Sequence, residues 1–293
     1  MRKPLHRKPE WVRFTIPGGS EYVRIRKAVE VGGLHTVCTE ARCPNMGECF
    51  NAGRATFLIL GNVCTRNCRY CAVPKGIPPG YDRDEGRRVA EAVKELNLNY
   101  VVITSVTRDD LEDGGAGLYC DTIEAIRQAS PTCKVEVLVP DFMPQWEGAI
   151  DQVIEAKPDV INHNIEVARN FYEDLRPKGN YEVSLALLER VAASDVPAKS
   201  GLMIGFGETM ADIEATLKDL HQAGTSIVTV GQYLKASHQG FGVEKYYHPD
   251  EFTAIDAMAR NMGFDKVLAG PMVRSSYHAG ELGGCDSIPK ISS

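Results

Sequence analysis

Two groups of closely spaced cysteines are the residues of this sequence whose types and spacing could do chemistry. The stretch CTRNCRYC, residues 64–71, carries thiols at positions i, i+4 and i+7. A loop with that spacing can fold round one small metal centre, and iron–sulfur clusters usually take four cysteine ligands. Three cysteines would leave one iron open to a ligand from outside the chain. A structural zinc site completed by a distant histidine and a set of redox thiols are the alternatives.

The second group lies just upstream, in CTEARCPNMGEC at residues 38–49, with the spacing C-x₄-C-x₅-C. Taken alone, this spacing fits zinc ligands, cluster ligands and incidental thiols about equally. Six of the nine cysteines fall within these two stretches, and clustered cysteines without a secretion signal are typical of metal ligands rather than disulfides. We expect ordinary buried or surface thiols at the three isolated positions, Cys120, Cys133 and Cys285.

The distribution of charge argues against nucleic-acid binding. Residues 1–27 hold eight Lys and Arg against two Glu, about +6, and the remainder holds 25 basic against 37 acidic residues, −12. An acidic body lacks the basic face that phosphate contacts require, so we expect no nucleic-acid partner. The basic arm is either a solvated tail or a docking element for an acidic partner, and its first charges are Arg2, Lys3, Arg7 and Lys8.

No segment of the sequence has the pattern of a membrane span or a secretion signal. No apolar run approaches the roughly 18 residues that a spanning helix needs. The first 14 residues, MRKPLHRKPEWVRF, are basic and lack the apolar stretch of a signal peptide. We therefore expect a cytoplasmic protein without a membrane partner.

The elements that must position the cysteines alternate between strands and helices from residue 55 onward. Continuous apolar runs rich in β-branched residues predict strands buried on both faces of a parallel sheet. These runs are ATFLILG (55–61), YVVITSV (100–106), KVEVLVP (134–140), VINHNIE (160–166), AKSGLMIGF (198–206) and SIVTVGQY (226–233). Helical periodicity follows each run, at residues 86–97, 117–129, 144–156, 181–194, 209–224 and 250–262.

The positions of polar residues favour a barrel over a doubly wound sheet. They gather where the predicted strands end, at Thr104, Ser105, Asp141, Asn164, Glu166, Gln232 and Tyr233. Parallel barrels deliver site residues to one rim from many strands, whereas a doubly wound sheet binds at one switch point. Six strand–helix units predict an open, partial (βα)₆ barrel of the TIM type over residues 55–269. Residues 1–54 and 270–293 are then extensions that cover its mouth within one structural domain.

The motif C-x₃-C-x₂-C, with Tyr70 before its last cysteine, resembles the signature of the radical S-adenosylmethionine superfamily. The resemblance implies that Cys64, Cys68 and Cys71 hold a [4Fe–4S] cluster whose open iron binds S-adenosylmethionine, with Tyr70 at the cofactor. It also implies that the reduced cluster splits this cofactor into methionine and a radical that removes hydrogen from an unactivated carbon. Side chains cannot do such chemistry alone, so a cofactor has to supply it.

The chain as a whole resembles the lipoyl synthase family, in order over roughly residues 8–282. The resemblance is carried by both cysteine groups and by GGLHTVCTEARCPNMGECF, VTRDDLEDGGA, INHNIE, SGLMIGFGET, GQYL and VRSSYHAGE. It implies that Cys38, Cys43 and Cys49 hold an auxiliary [4Fe–4S] cluster whose fourth ligand is a serine of RSSY. We place that ligand at Ser276, with Ser275 as the alternative. A serine oxygen suits iron less well than a thiolate and should leave readily.

The same resemblance implies a reaction and a set of partners. Two sulfur atoms join carbons 6 and 8 of an octanoyl chain on a carrier-protein lysine, with two molecules of S-adenosylmethionine used and the auxiliary cluster consumed as sulfur donor. The implied partners are an octanoylated lipoyl carrier domain, a ferredoxin- or flavodoxin-type electron donor, and an iron–sulfur assembly or carrier protein. The alternatives are another sulfur-inserting radical enzyme and a non-catalytic zinc or iron–sulfur protein.

Three further residues are candidates for contact with S-adenosylmethionine. Asn164 and Glu166, two apart on a predicted strand, point to one side and could bind ribose hydroxyls, or could simply cap the strand end. Arg176 could bind the cofactor carboxylate with both arms of its guanidinium group, or could be a solvated arginine. The chain departs from the family after Leu234, where it reads KASHQGFGVEKYYHP, so we carry over no carrier contact to this loop.

Overall fold

The computed structural model describes residues 8–236 and 240–284; Arg2, Lys3 and Arg7 of the basic arm and Cys285 lie outside them. Within these residues, one sheet contains eight strands in chain order. The strands are β1 (His35–Thr36), β2 (Thr56–Ile59), β3 (Tyr100–Ser105), β4 (Lys134–Leu138), β5 (Val160–Asn162), β6 (Ala198–Ile204), β7 (Ile227–Gln232) and β8 (Lys266–Gly270). β1 is antiparallel to β2, and the later pairs are parallel. The sheet is open between β1 and β8, which confirms the predicted partial barrel.

The described helices alternate with these strands and also form the extensions. They are α1 (Ser20–Val31), α2 (Val37–Glu40), α3 (Met46–Asn51), α4 (Glu85–Glu95), α5 (Ala116–Ala129), α6 (Trp146–Glu155), α7 (Tyr172–Leu175), α8 (Tyr181–Ala192), α9 (Met210–Gln222), α10 (Pro249–Met262), α11 (Ala279–Leu282) and a 3₁₀ turn at Arg169–Phe171. All six helices predicted between strands are present, as α4, α5, α6, α8, α9 and α10. None of the described helices has the length and apolar character needed to cross a bilayer.

Local sequence signals explain where two of these helices begin and end. Thr209 and Asp212 form a reciprocal capping box at the start of α9, which satisfies backbone N–H groups that the first turn leaves unpaired. Pro249 begins α10, where its missing N–H costs nothing, and Gly263 ends it with a φ of 105°. These caps fix the lengths of the outer helices and therefore the places where strands re-enter the sheet.

The predicted strands differ from the observed ones mainly at β5. The sheet is buried on both faces, as continuous hydrophobicity predicts, and every residue of β2 and β7 is buried. β5, however, ends at Asn162, so Asn164 and Glu166 lie beyond the strand rather than on it. Glu166 has a φ of 72° and forms an isolated bridge with Leu202. The chain therefore departs from regular strand geometry after Asn162 and pairs with β6 again at Glu166, where these two side chains reach the mouth.

The N-terminal and C-terminal extensions meet across the open side of the sheet. Asn45 Nδ2 donates a hydrogen bond to the carbonyl oxygen of Met272 at 2.6 Å. The Tyr277 hydroxyl donates to Glu48 at 2.7 Å, and Arg54 pairs with Glu281 at 3.1 Å. Since one partner of each contact precedes β2 and the other follows β8, these bonds join the two edges that the strands leave apart.

The C-terminal extension reaches both ends of the barrel. Residues 274–276 line a cavity at the mouth, while α11 packs at the opposite end, against the first residues of β3, β4 and β8. Lys134 Nζ donates to the carbonyl oxygens of Gly283 and Gly284, at 3.3 and 3.1 Å. Lys266 Nζ donates to that of Leu282 at 2.5 Å. Lysines that pair with the last carbonyls of a helix are a common C-terminal cap. Here they hold α11 against the amino-terminal ends of the strands.

Candidate functional site

A cavity of about 370 Å³ opens at the carboxyl ends of the parallel strands, within the size range of small-molecule sites. Its walls come from the ends of β3 to β7 and from the cysteine loop that follows β2. Its lining includes all the predicted catalytic-cluster and cofactor residues, namely Cys64, Cys68, Tyr70, Cys71, Asn164, Glu166, Arg176 and Ser276. The structure therefore brings together at one rim residues that are up to 212 positions apart in the chain.

Backbone hydrogen bonds fold the loop that carries the downstream cysteines. Cys64 N–H donates to the carbonyl of Pro74 at 2.9 Å, and the Gly76 N–H donates back to the Cys64 carbonyl at 3.0 Å. The Thr65 hydroxyl donates to Asp109 at 3.0 Å, which ties the loop to the segment after β3. The loop is thus held on two sides, by an isolated bridge between Cys64 and Lys75 and by the VTRDD motif.

Arg66, between the first two cysteines of this loop, enters a buried ionic network. It pairs with Asp109 at 2.6 Å and with Asp141 at 2.9 Å, and Asp141 also pairs with Arg176 at 3.2 Å. Although burial opposes it, the two guanidinium groups hold the pKa of Asp141 below its usual range. Asp141 therefore stays ionised and links the cysteine loop to the candidate cofactor residue Arg176.

Sequence reasoning missed the roles of Arg66 and Asp109 in this network. It noted Asp141 only as a polar residue at a strand end. The available signal was an arginine between two cysteines, with aspartates after two neighbouring strands of the same rim. Charged residues in such places are rarely buried unless they are paired.

Tyr70 and Glu166 both line the larger cavity and interact electrostatically. Burial raises the pKa of Tyr70 well above its usual value, and the neighbouring Glu166 and Cys68 raise it further, so the phenol stays neutral. Burial also raises the pKa of Glu166, although Arg176 opposes this. Asn164 Nδ2 donates to Glu166 Oε1 at 3.3 Å. These half-buried residues offer a ligand both hydrogen-bond donors and acceptors at one place.

The cavity contains buried polar atoms that fit a polar ligand such as S-adenosylmethionine. Asn164 Oδ1 and Ser105 Oγ are buried without a hydrogen-bond partner among the described residues. Such atoms carry a desolvation cost that a ligand hydroxyl or amine would remove. Gly201 permits this arrangement, because a Cβ at that position would lie 2.6 Å from Asn164 Oδ1. The residues present therefore fit a hydroxyl-bearing cofactor.

Arg176 is buried, so the alternative of a solvated arginine is wrong. Its guanidinium donates to the Tyr172 hydroxyl at 2.8 Å and to the Asn164 carbonyl at 3.3 Å, besides its pair with Asp141. A guanidinium has five N–H donors, so these contacts with described residues leave donors for a carboxylate. The network holds Arg176 in one orientation at the cavity wall.

A second cavity, of about 220 Å³, adjoins the first and is lined by the upstream cysteines Cys38, Cys43 and Cys49. Ser276 also lines it, whereas Ser275 lines only the larger cavity. The two cavities share four lining residues, Cys38, Cys43, Arg274 and Ser276. The upstream cysteines and Ser276 are therefore neighbours, although 227 positions separate Ser276 from Cys49.

Burial favours the neutral form of the thiols in both cysteine groups. Burial raises the pKa of Cys38 to about 12, with a contribution from the nearby Cys43. Burial likewise raises the pKa of Cys71 to about 12, and Cys68 and Cys64 add to the effect. Metals bind the thiolate, so a metal centre at either group would have to offset this cost of burial. Among the described residues, no group of three or more His, Cys, Asp or Glu converges on a point that a single metal ion could occupy.

Comparison with known families gives two matches. The Radical SAM superfamily matches residues 58–220, and the N-terminal domain of lipoyl synthase matches residues 2–43. Together they cover both cysteine groups except for Cys49, which lies between them.

Similar proteins and structures extend this finding over the rest of the chain. The lipoyl synthases of Yersinia enterocolitica and Symbiobacterium thermophilum are 49% and 48% identical over 281 and 282 residues, which are 95% and 96% of this chain and 88% of each relative. The fold resembles the FeFe-hydrogenase maturase HydG from Carboxydothermus hydrogenoformans (TM-score 0.56, 16% identity, 91% of this chain, 71% of that one). It also resembles methylornithine synthase (TM-score 0.53, 11% identity, 86% and 78%). The chain therefore belongs to the lipoyl synthase family of the radical S-adenosylmethionine superfamily.

Proposed function

We propose that the two adjoining cavities form one active site, in which this chain inserts sulfur at carbons 6 and 8 of a protein-bound octanoyl-lysine. The observation that carries this proposal is the shared wall: Cys38, Cys43, Arg274 and Ser276 line both cavities. A substrate chain in the larger cavity would therefore lie between the two cysteine groups. Hydrogen removal and sulfur transfer need access to the same carbons, and this arrangement provides it.

The family uses a [4Fe–4S] cluster and S-adenosylmethionine. We assign the catalytic cluster to Cys64, Cys68 and Cys71. An auxiliary [4Fe–4S] cluster belongs, in this proposal, to the upstream cysteines and Ser276. Bound at these residues, the cofactors supply the radical chemistry and the sulfur that side chains lack.

The remaining side chains of the cavity bind S-adenosylmethionine and orient it. Tyr70 and Glu166 present a neutral phenol and a carboxyl group of raised pKa to the cofactor side of the cavity. Asn164 offers to a hydroxyl its Oδ1, which has no hydrogen-bond partner in the described part of the chain, and Arg176 offers its remaining N–H donors to a carboxylate. Because each of these side chains is held by neighbours, the site is organised before a ligand enters.

The direct test is anaerobic incubation of the reconstituted protein with an octanoyl-lysyl peptide, dithionite and S-adenosylmethionine, followed by mass spectrometry. We expect a peptide product with two added sulfur atoms, and none when S-adenosylmethionine is omitted. Cleavage of S-adenosylmethionine without any sulfur-containing product would instead favour a different radical reaction. Absence of both iron and cleavage would favour the zinc-protein alternative.

The two serines of the RSSY motif allow a matched test of the auxiliary ligand. Ser276→Ala should lose most lipoyl formation but keep S-adenosylmethionine cleavage, because Ser276 lines the cavity of the upstream cysteines. Ser275→Ala, the same change one residue away, should retain lipoyl formation. Both products are measured in one anaerobic assay by mass spectrometry. The opposite pattern would assign the ligand to Ser275.

The partners follow from the same proposal. The substrate is an octanoylated lipoyl carrier domain, a ferredoxin- or flavodoxin-type protein supplies electrons, and an iron–sulfur assembly or carrier protein rebuilds the auxiliary cluster. The six cysteines of the two groups form no disulfide. Free thiols in such number suit a reducing compartment, and we assign the protein to the cytoplasm. Residues 1–54, 55–269 and 270–293 remain our division into extension, barrel and extension.

A further inference from the structure

The larger cavity has a positive lining in a chain whose net charge is −6. Its basic side chains are Lys8, Arg42, Arg66, Lys75, Arg176, Lys235 and Arg274, whereas its one acidic side chain among the described residues is Glu166. The chain as a whole has more acidic than basic residues, so a lining with seven cations and one carboxylate differs from its average composition. The charge of the mouth therefore requires its own explanation.

Three of these seven cations already have local roles. Arg66 and Arg176 are paired with the buried aspartates described above. Arg274 is half-buried and interacts electrostatically with the Cys43 thiol. The other four cations form no ion pair with the described residues, and we call them the cationic rim, which consists of Lys8, Arg42, Lys75 and Lys235.

The cationic rim is accessible and lacks acidic partners. Lys8, Arg42 and Lys75 are exposed and Lys235 is half-buried. None of them forms a salt bridge within residues 8–236 and 240–284. Their recorded contacts are uncharged: Lys8 Nζ lies 4.4 Å from the centre of the Phe14 ring, and Lys75 Nζ donates to the Cys68 carbonyl at 2.8 Å. Like charges around one opening repel, and an acidic partner would relieve that repulsion.

Apolar surface accompanies these charges. Ile77, two residues after Lys75, is 97% exposed, and Phe14 is 44% exposed beside Lys8. Pro78 and Pro79 follow Ile77 and restrict the backbone of its loop. Exposed apolar groups edged by charges are a common composition of protein–protein interfaces. A rigid loop also loses little conformational freedom when a partner binds.

We propose that the cationic rim is the docking surface for the carrier protein, and that this partner presents carboxylates around its octanoyl-lysine. The inference rests on the proposed function, since it takes the octanoyl chain to enter the larger cavity. That chain is covalently attached to its carrier, so the carrier surface around the modified lysine has to approach the opening. An electron donor is not tethered to the substrate and needs no access to this opening.

The test compares two substrates and two charge reversals, with dithionite as the reductant. Lys8→Glu/Lys235→Glu alters the cationic rim but spares Lys75, which contacts the cysteine loop. Lys94→Glu/Lys218→Glu is the matched control with the same charge change, on the exposed faces of α4 and α9. Each variant is assayed with an octanoylated lipoyl carrier domain and with an uncharged octanoyl-lysyl peptide, at low and high salt.

We expect the rim variant to raise KM for the carrier domain about tenfold or more at low salt, the scale of electrostatic steering. Its KM for the peptide should change much less, and its carrier KM should depend less on salt than that of the parent chain. The control should match the parent chain with both substrates.

Three outcomes would overturn the inference. Equal increases in KM for carrier and peptide would show that the rim residues act on the octanoyl-lysine in the cavity and not on the surface of the carrier. An unchanged carrier KM would leave the rim without a docking role. A defect that appears only when a protein reductant replaces dithionite would assign it to the electron donor. Failure of the parent chain to insert sulfur into the peptide would instead refute the proposed function. The peptide assay of the parent chain therefore distinguishes that failure from failure of the docking inference.

Discussion

Cys68→Ala should abolish S-adenosylmethionine cleavage and halve the iron content, whereas Cys43→Ala should also halve the iron but retain cleavage. Cys68 lines only the larger cavity and interacts with Tyr70, close to Glu166 and Arg176. Cys43 belongs to the group that lines the smaller cavity, and its electrostatic partner is Arg274. Removing one thiol should therefore abolish the cluster that its own cysteine group binds, while the cluster at the other group remains bound. Neither variant should form the lipoyl product, because both clusters are needed for it.

The measurements are iron per chain, methionine released, and mass of the peptide product, all under anaerobic conditions. Cys120→Ala is the matched control, because Cys120 is an isolated thiol on α5 that contacts the carbonyl of Gln152 at 3.4 Å. It should retain the full iron content and full activity. If Cys43→Ala lost all cleavage while Cys68→Ala retained it, the two cysteine groups would have to exchange roles.

The barrel was predictable because its strands are buried on both faces and its helices have one buried face. Continuous apolar runs and helical periodicity therefore identify all six central strands and their helices. β1 has only two residues, too few for any periodicity, and it exists because it pairs with β2. β8 was missed because only Val267 of its five residues is fully buried, so its apolar signal is weak.

The cysteine groups were predictable for a different reason, which is that each lies within one short stretch of chain. The buried ionic network is not local: Arg66 and Arg176 meet the same carboxylate although 110 residues separate them. The spacing of residues in the sequence does not predict a contact between residues so far apart in the chain. The position of Glu166 also depends on a turn, since its left-handed backbone follows the early end of β5. If the strand had extended over the predicted residues 160–166, the direction of the Glu166 side chain would have followed from the alternation of side chains along a strand.

Asp141→Asn should be the most destabilising single change in the network, by about 3–5 kcal/mol, the usual effect of removing one partner from a buried ion pair. The Asp141 side chain is 1% exposed and pairs with two arginines. Arg66 would keep Asp109, but Arg176 would lose its one salt-bridge partner among the described residues. The variant should also bind S-adenosylmethionine more weakly, because Arg176 loses one of the three contacts that orient it.

The stability is measured as the urea midpoint of the reconstituted protein, followed by circular dichroism under anaerobic conditions, and cofactor binding by calorimetry. Asp151→Asn is the matched control, because Asp151 pairs with Arg190 through two hydrogen bonds of 2.8 Å on the surface. Solvent screens such a pair, so its loss should barely move the midpoint. Asp141→Asn/Arg176→Met should recover part of the lost stability, since it removes the cation left unpaired, but should not recover cofactor binding. Equal midpoints for Asp141→Asn and Asp151→Asn would show that the buried network does not hold the cysteine loop in place.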